Sequence, residues 1–142
     1  MLTAFVTLNP RLREYHGMQI NHPDVVAELA VASENYDTAL VENNVSTLEE
    51  LFWVSSYVVR YGATENLYGA DEISAFRAAR PSSGLSRRVT QKVITTFGTD
   101  FGTTSLQFTR DSDTRVGRQT QSWVRMEEGW RIVAAHVSWM DS

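Results

Sequence analysis

The spacing of apolar positions divides the chain into a helical part and an alternating part. From Pro23 to about Asn43, Val25, Leu29, Ala32, Tyr36 and Leu40 recur at helical intervals and form one stripe. Asn21 can cap this helix, Pro23 suits its first turn, and Asp24 complements the dipole there. Tyr36 lies on the inward stripe, so its hydroxyl needs a partner. Asn43-Asn44 ends the helix, and Ser46 or Thr47 can cap a second, short one running through Trp53. A third helix is predicted from Ala70 to about Arg80, with Ile73, Phe76 and Ala79 on one side and Pro81-Ser82-Ser83-Gly84 as its stop. From Arg87 onward the period changes to two. Four strands fit: Val89–Phe97, Thr103–Arg110, Val116–Met126 and Trp130–Trp139, with turns at Gly98-Thr99-Asp100, Asp111-Ser112-Asp113 and Glu127-Glu128-Gly129.

Between the second and third helices lies Tyr57-Val58-Val59-Arg60-Tyr61, aromatic and β-branched residues that favour an extended strand. Alternation puts Arg60 on the Val58 face, opposite Tyr57, Val59 and Tyr61. A guanidinium keeps its proton at ordinary pH, and an unpaired one in apolar surroundings is costly. Arg60 therefore needs a carboxylate, either from the chain (Glu65 or Asp71) or from a ligand. The following segment, Gly62 to Gly69, reads as a loop.

Consecutive strands with short connections imply an antiparallel meander. The expected fold is α+β, with amphipathic helices on one face of a curved, mostly antiparallel sheet. Closed at one end by the first helix, such a sheet makes a cone enclosing a pocket. Residues 18–142 are expected to form a single domain. Residues 1–17 are expected to be a poorly ordered extension, since Met18 begins a plausible natural start and the first segment lacks the parts of a signal peptide.

Composition narrows the chemistry. A chain of 142 residues, 42% hydrophobic and 21% charged, can bury a full core. A net charge of −4 argues against non-specific nucleic-acid binding, and no apolar run reaches the roughly 18 residues of a membrane span. A cytoplasmic protein is expected. With no cysteine and only three histidines, His16, His22 and His136, thiolate chemistry and a multi-histidine metal site in the body of the chain are excluded. No nucleophile motif and no glycine-rich phosphate loop occurs, so neither a metal nor a nucleotide cofactor is expected. Lys92 is the only lysine, which confines Schiff-base chemistry to one position.

The order helix–helix–strand–helix–meander and the hairpin GRQTQSWVRMEEGWRIVAAHVS (117–138) resemble the NTF2-like superfamily. The runs RYGATENLYG (60–69), AFRAARP (75–81) and VITTFGTDF (93–101) are similar to a narrower group within it. That group comprises small proteins encoded beside amidases in nitrogen-compound catabolism, including cyanuric-acid and oxalurate utilisation. The resemblance extends from about Met18 to Met140. It implies a cofactor-free decarboxylating amidase that converts 1,3-dicarboxyurea to allophanate. The tyrosine of the first helix and the arginine of the first strand would carry the reaction, and these match Tyr36 and Arg60. Other roles found on this fold, lyase or isomerase or a non-catalytic acid-binding accessory of a partner amidase, remain alternatives.

In the amidase reading Arg60 clamps one carboxylate of a small dianion and Tyr36 donates the proton that nitrogen needs as it leaves. His136, the only histidine in the body, is a candidate base or hydrogen-bond donor, with Ser138 beside it in strand parity. Gln119, Gln121 and Trp123 share a strand face and can bind a urea-like amide, or pair across strands on an outer face. Glu65 and Asn66, in the loop after the first strand, either line the pocket mouth or merely turn the chain. Arg77 and Arg80 either add positive potential for a second carboxylate or form a solvated edge. A homodimer or higher homo-oligomer is expected if Trp123, Val133 or Trp139 is exposed on the outer face.

Overall fold

The structure is a computed structural model that describes residues 18–141, so the expected extension at 1–17 lies outside the described residues. Helices α1 (Pro23–Val41) and α2 (Val45–Leu51) precede a hairpin of two short strands, β1 (Val59–Tyr61) and β2 (Asn66–Tyr68). Helix α3 (Gly69–Ala79) leads into the meander β3 (Arg88–Phe97), β4 (Phe101–Arg110), β5 (Asp113–Met126) and β6 (Gly129–Met140). All six strands form one sheet in the order β2-β1-β6-β5-β4-β3, with β1 parallel to β6 and every other pair antiparallel. This is the α+β arrangement that the change of period predicts. Among the described residues no helix is long and apolar enough to cross a membrane.

The helix ends differ from expectation in an instructive way. Asn21 does not cap α1; it takes a positive φ of 57° and is bonded to β3, donating its N–H to the Thr96 carbonyl and accepting the Thr96 N–H through Oδ1. His22 caps instead, its Nδ1 accepting the N–H of Asp24. Asn44, not Ser46 or Thr47, caps α2 by accepting the N–H of Thr47, and that helix stops at Leu51. In α3 the buried stripe runs through Ile73 and Arg77, while Ala79 is exposed. Arg77 is tolerated there because Glu49 of α2 accepts its Nη1 at 2.8 Å and its fork lies over the Phe52 ring.

Segment 62–69 contains a strand where a loop was expected. A tight turn, closed by the Gly62 N–H donating to the Glu65 carbonyl, folds β2 back on β1 so that Arg60 pairs with Leu67. Three-residue strands flanked by turn residues carry too few alternations to be read as a period.

The core lies between the helices and the inner sheet face, around Leu29, Leu48, Val58, Trp123 and Ile132, all fully buried. Each such side chain contributes about 1.5–3 kcal/mol of burial. Trp123 is therefore not an exposed outer-face residue, and Trp139 is half-buried with its ring edge-on to Phe108. Gly117 on β5 makes that arrangement possible: a Cβ there would meet the Phe108 ring at 2.2 Å. Phe108 thus lies flat across β5 and becomes the floor of a cavity.

Candidate functional site: an arginine-lined cavity

Beside the core, between α1, the β1–β2 turn, the end of α3 and the open ends of β4 and β6, lies a cavity of about 170 Å³. Four arginines line it, each delivered by a different element. Arg60 comes from β1, Arg80 from the residue that ends α3, Arg87 from the approach to β3 and Arg110 from the last position of β4. Tyr36 enters from α1, and Glu65 supplies the single carboxylate among the lining residues.

The four guanidiniums are not equivalent. Arg60 Nη1 donates to Glu65 Oε2 at 2.7 Å and the fork lies 5.5 Å over the Phe76 ring. Thr64 donates its hydroxyl to the other oxygen, Oε1, at 2.7 Å. Burial pushes the Glu65 carboxyl up, but the bonds from Arg60 and Thr64 outweigh it and hold the group below its ordinary value. Arg87 has a carboxylate too, donating to Gln119 Oε1 at 2.6 Å and Asp37 Oδ1 at 3.0 Å while its fork lies over Phe108; its Nε alone is buried without a partner among the described residues. Asp37 also accepts from Lys92, which in turn reaches Ser33 of α1.

Arg80 and Arg110 are different. Nε and Nη2 of Arg80 and Nε of Arg110 are buried without a hydrogen-bond partner among the described residues. Arg110 is held only by stacking, 5.6 Å from the Phe108 centroid and 5.5 Å from that of Trp139. Burial pushes Arg80 down from the usual arginine value; Tyr36 acts in the opposite direction, while Arg77, Arg60 and Arg110 add to the lowering. Arg110 is lowered by burial and by Arg87, against Asp113. Both stay protonated, since an arginine does not titrate at ordinary pH. The shifts register charge that is poorly solvated and poorly compensated.

The cavity brings Tyr36, Arg60 and Glu65 together with Arg80 and Gln119, but not Gln121, Trp123, His136, Ser138, Asn66 or Arg77. Gln121 and Trp123 are buried on the inner face and do not line the cavity: Trp123 Nε1 donates to Thr104 Oγ1, which donates to Gln121 Oε1, and Gln121 Nε2 is buried without a partner among the described residues. Gln119, one alternation further along β5, is the amide that reaches the cavity. His136 and Ser138 lie on the other side of the sheet, His136 exposed and edge-on to the Tyr61 ring at 5.7 Å. A register shift between Ser122 and Trp123 of β5 is the reason. Ile132 points inward, Ser122 pairs with Ala134, and so Ala135, Val137 and Trp139 face inward while His136 and Ser138 face out. Asn66 is exposed in β2. Among the described residues no group of three His, Asp or Glu side chains is placed to hold a metal ion.

Arg87 and Arg110 were not singled out from the sequence. For Arg110 a signal existed: it shares parity with the inward Leu106 and Phe108. For Arg87 none did, because β3 changes register between Val89 and Gln91 and breaks the alternation that would place it.

The AtzH-like family model matches residues 18–142. A protein of unknown function from Pectobacterium atrosepticum, of the DUF3225 family, is 55% identical over 86% of this chain and 95% of its own, with a TM-score of 0.85. A cystatin-like fold protein from Burkholderia xenovorans is 44% identical over 89% of this chain and 99% of its own, also with a TM-score of 0.85. An NTF2-like protein of unknown function from Pseudomonas putida, 13% identical over 81% of this chain and 86% of its own, has a TM-score of 0.68 and shares the fold. No curated protein matches the chain. With the family model covering every described residue, on an NTF2-like α+β fold, the chain belongs to the AtzH-like family.

Proposed function

We propose that the protein is a decarboxylating amidase that converts 1,3-dicarboxyurea to allophanate at this cavity. The observation that carries the reading is the surplus of guanidinium over carboxylate around a buried tyrosine: of four lining arginines Arg60 pairs with Glu65 and Arg87 with Asp37, while Arg80 and Arg110 have no carboxylate within ion-pair distance among the described residues. A small, strongly cationic cavity suits a compact dianion and little else of that size.

The chemistry asks for few groups. In the dianion each terminal carboxylate is bonded to a urea nitrogen. Breaking one nitrogen–carboxyl bond leaves the electron pair on nitrogen and releases carbon dioxide; one proton then completes the amide of allophanate, a monoanion. Tyr36 is the proton donor, reprotonated from solvent. Arg60, aimed by Glu65, uses its remaining donors to orient the substrate; a guanidinium has five N–H groups and Glu65 takes one. The step uses no redox equivalent, in keeping with the cofactor-free reading. A cytoplasmic location and a partner amidase that consumes allophanate belong to the same proposal.

The ion pair between Arg60 and Glu65 favours one second reading, a binding accessory whose arginine is occupied until a ligand displaces the carboxylate. Product analysis separates the two. Purified protein mixed with excess 1,3-dicarboxyurea and followed by carbon NMR will form allophanate over many turnovers, faster than spontaneous decomposition. Binding with no rate above the spontaneous one would establish the accessory reading instead.

A further inference from the structure

We infer that Arg80 and Arg110 form a seat for a second carboxylate, which makes the cavity selective for dianions over monoanions. The inference deepens the proposed function and rests on its placing the ligand in this cavity.

Ion pairing separates the arginines that hold the fold from those that await something else. Arg60, Arg77, Arg87, Arg88, Arg115, Arg125 and Arg131 each lie within ion-pair distance of a carboxylate. Among the described residues Arg80, Arg110 and Arg118 do not. Arg118 is exposed on the outer sheet face, where water solvates it. Arg80 and Arg110 are half-buried at the cavity wall, and Nε of each, with Nη2 of Arg80, is buried without a partner among the described residues. A buried polar group without a partner raises the free energy of the empty protein, and a buried charge raises it more. Arg60 and Arg110 also act on Arg80, and Arg87 on Arg110, as like charges across the cavity. An arrangement unfavourable in the empty protein becomes favourable once a carboxylate enters.

The placement fits a ligand with two charged ends. Arg60 and Glu65 sit on the β1–β2 hairpin, whereas Arg80 and Arg110 come from the end of α3 and the end of β4. The Phe108 and Trp139 rings, 5.3 Å apart, both lie to one side of the Arg110 guanidinium, and a carboxylate entering the cavity can meet its N–H groups in the planar, two-bonded manner arginine favours. Such selectivity has a use. The proposed substrate carries two carboxylates and the product one, so the seat holds the substrate and loses its grip after the bond breaks.

Calorimetric titration with glutarate and butyrate tests this directly. Glutarate spaces its carboxylates by three atoms, as 1,3-dicarboxyurea does, and butyrate is the same chain with one carboxylate removed. The wild-type protein will bind glutarate about tenfold or more tightly than butyrate. Arg80→Gln and Arg110→Gln will reduce that ratio to within about threefold, with butyrate affinity little changed, and Arg118→Gln will leave it intact. The thermal midpoints of the two ligand-free cavity variants will equal or exceed that of wild type, since a seat for a ligand does not stabilise the empty fold. An unchanged ratio in both variants, no dicarboxylate preference in wild type, or a lowered midpoint with loss of both ligands would each overturn the inference. Arg80→Lys and Arg110→Lys, which keep the charge, serve if a glutamine variant does not fold: they will retain part of the preference, and full retention in both contradicts a seat that depends on the guanidinium fork. Because titration needs no turnover, the two readings fail separately. Arginine-dependent glutarate binding in a protein that leaves 1,3-dicarboxyurea intact would sink the proposed reaction and keep the seat. Turnover with unchanged kcat/KM in Arg80→Gln and Arg110→Gln would do the reverse.

Discussion

Glu65 Oε2 lies 2.7 Å from Arg60 Nη1, so of the partners the sequence offered this arginine, Glu65, Asp71 or a ligand, the chain supplies the one five residues away. The turn that folds β2 onto β1 delivers it, and Gly62 makes room: a Cβ at Gly62 would meet Glu65 Oε2 at 1.7 Å. The pair fixes the direction of the Arg60 fork while leaving most of its donors unused.

Acid will release this pair. The folded Glu65 carboxyl titrates below its ordinary value of 4.5, so ionisation favours the folded state. Its stabilising contribution is fully present above about pH 4.5 and is lost as pH falls through the lower, folded value. Thermal midpoints measured against pH for wild type and Glu65→Gln will therefore differ near neutrality and converge below that value. Curves that stay parallel down to acid would show that Glu65 carries no pH-dependent stability. At neutral pH Glu65→Gln will also lower kcat/KM by about tenfold through misaimed Arg60.

Gly117→Ala tests the cavity floor. The added methyl cannot coexist with the Phe108 ring in place, and displacing that ring disturbs the stacking of Arg87 and Arg110. We expect a loss of about 1–3 kcal/mol in denaturant unfolding, together with weakened glutarate binding. Wild-type stability and affinity would show that Phe108 has room to move.

Arg77 and Arg125 provide an internal contrast between buried and exposed pairs. Arg77 is 4% exposed and its partner is Glu49, whereas Arg125 and Glu28 are both substantially exposed. Glu49, itself 38% exposed, is the counter-charge of a buried cation, and Glu49→Gln should cost about 2 kcal/mol. Glu28→Gln should cost about 1 kcal/mol or less. Equal costs by chemical denaturation would mean that burial does not govern these pairs.

The meander and the long first helix were legible because each repeats its period many times over. The hairpin β1–β2 was not, since three-residue strands offer too little repetition. Tyr36 could be placed on the inward stripe of a long helix and Arg60 on one face of a local extended pattern, while Glu65 stood out only as a carboxylate near Arg60 in the chain. The sequence left the face of His136 and Ser138 open, and the extra residue that decides it, Val133 of β6 opposite the Ser122–Trp123 step, is not announced there; Arg87 was hidden by another shift in β3. A bulge reverses the facing of every residue beyond it, and nothing in the alternation of side chains announces where it falls. Gln121 and Trp123 illustrate a different limit: alternation tells which face a residue joins, not whether that face is solid core or open cavity at that point.

The central claim is that Tyr36 and Arg60 convert a carboxylated urea within this cavity. Steady-state conversion of 1,3-dicarboxyurea to allophanate by wild type, Tyr36→Phe and Arg60→Ala measures it most directly, with circular dichroism confirming each fold. The account predicts multiple turnover by wild type, a kcat lowered about a hundredfold or more in Tyr36→Phe with KM little changed, and a comparable loss of kcat/KM in Arg60→Ala. A folded Tyr36→Phe protein turning over at the wild-type rate would contradict it.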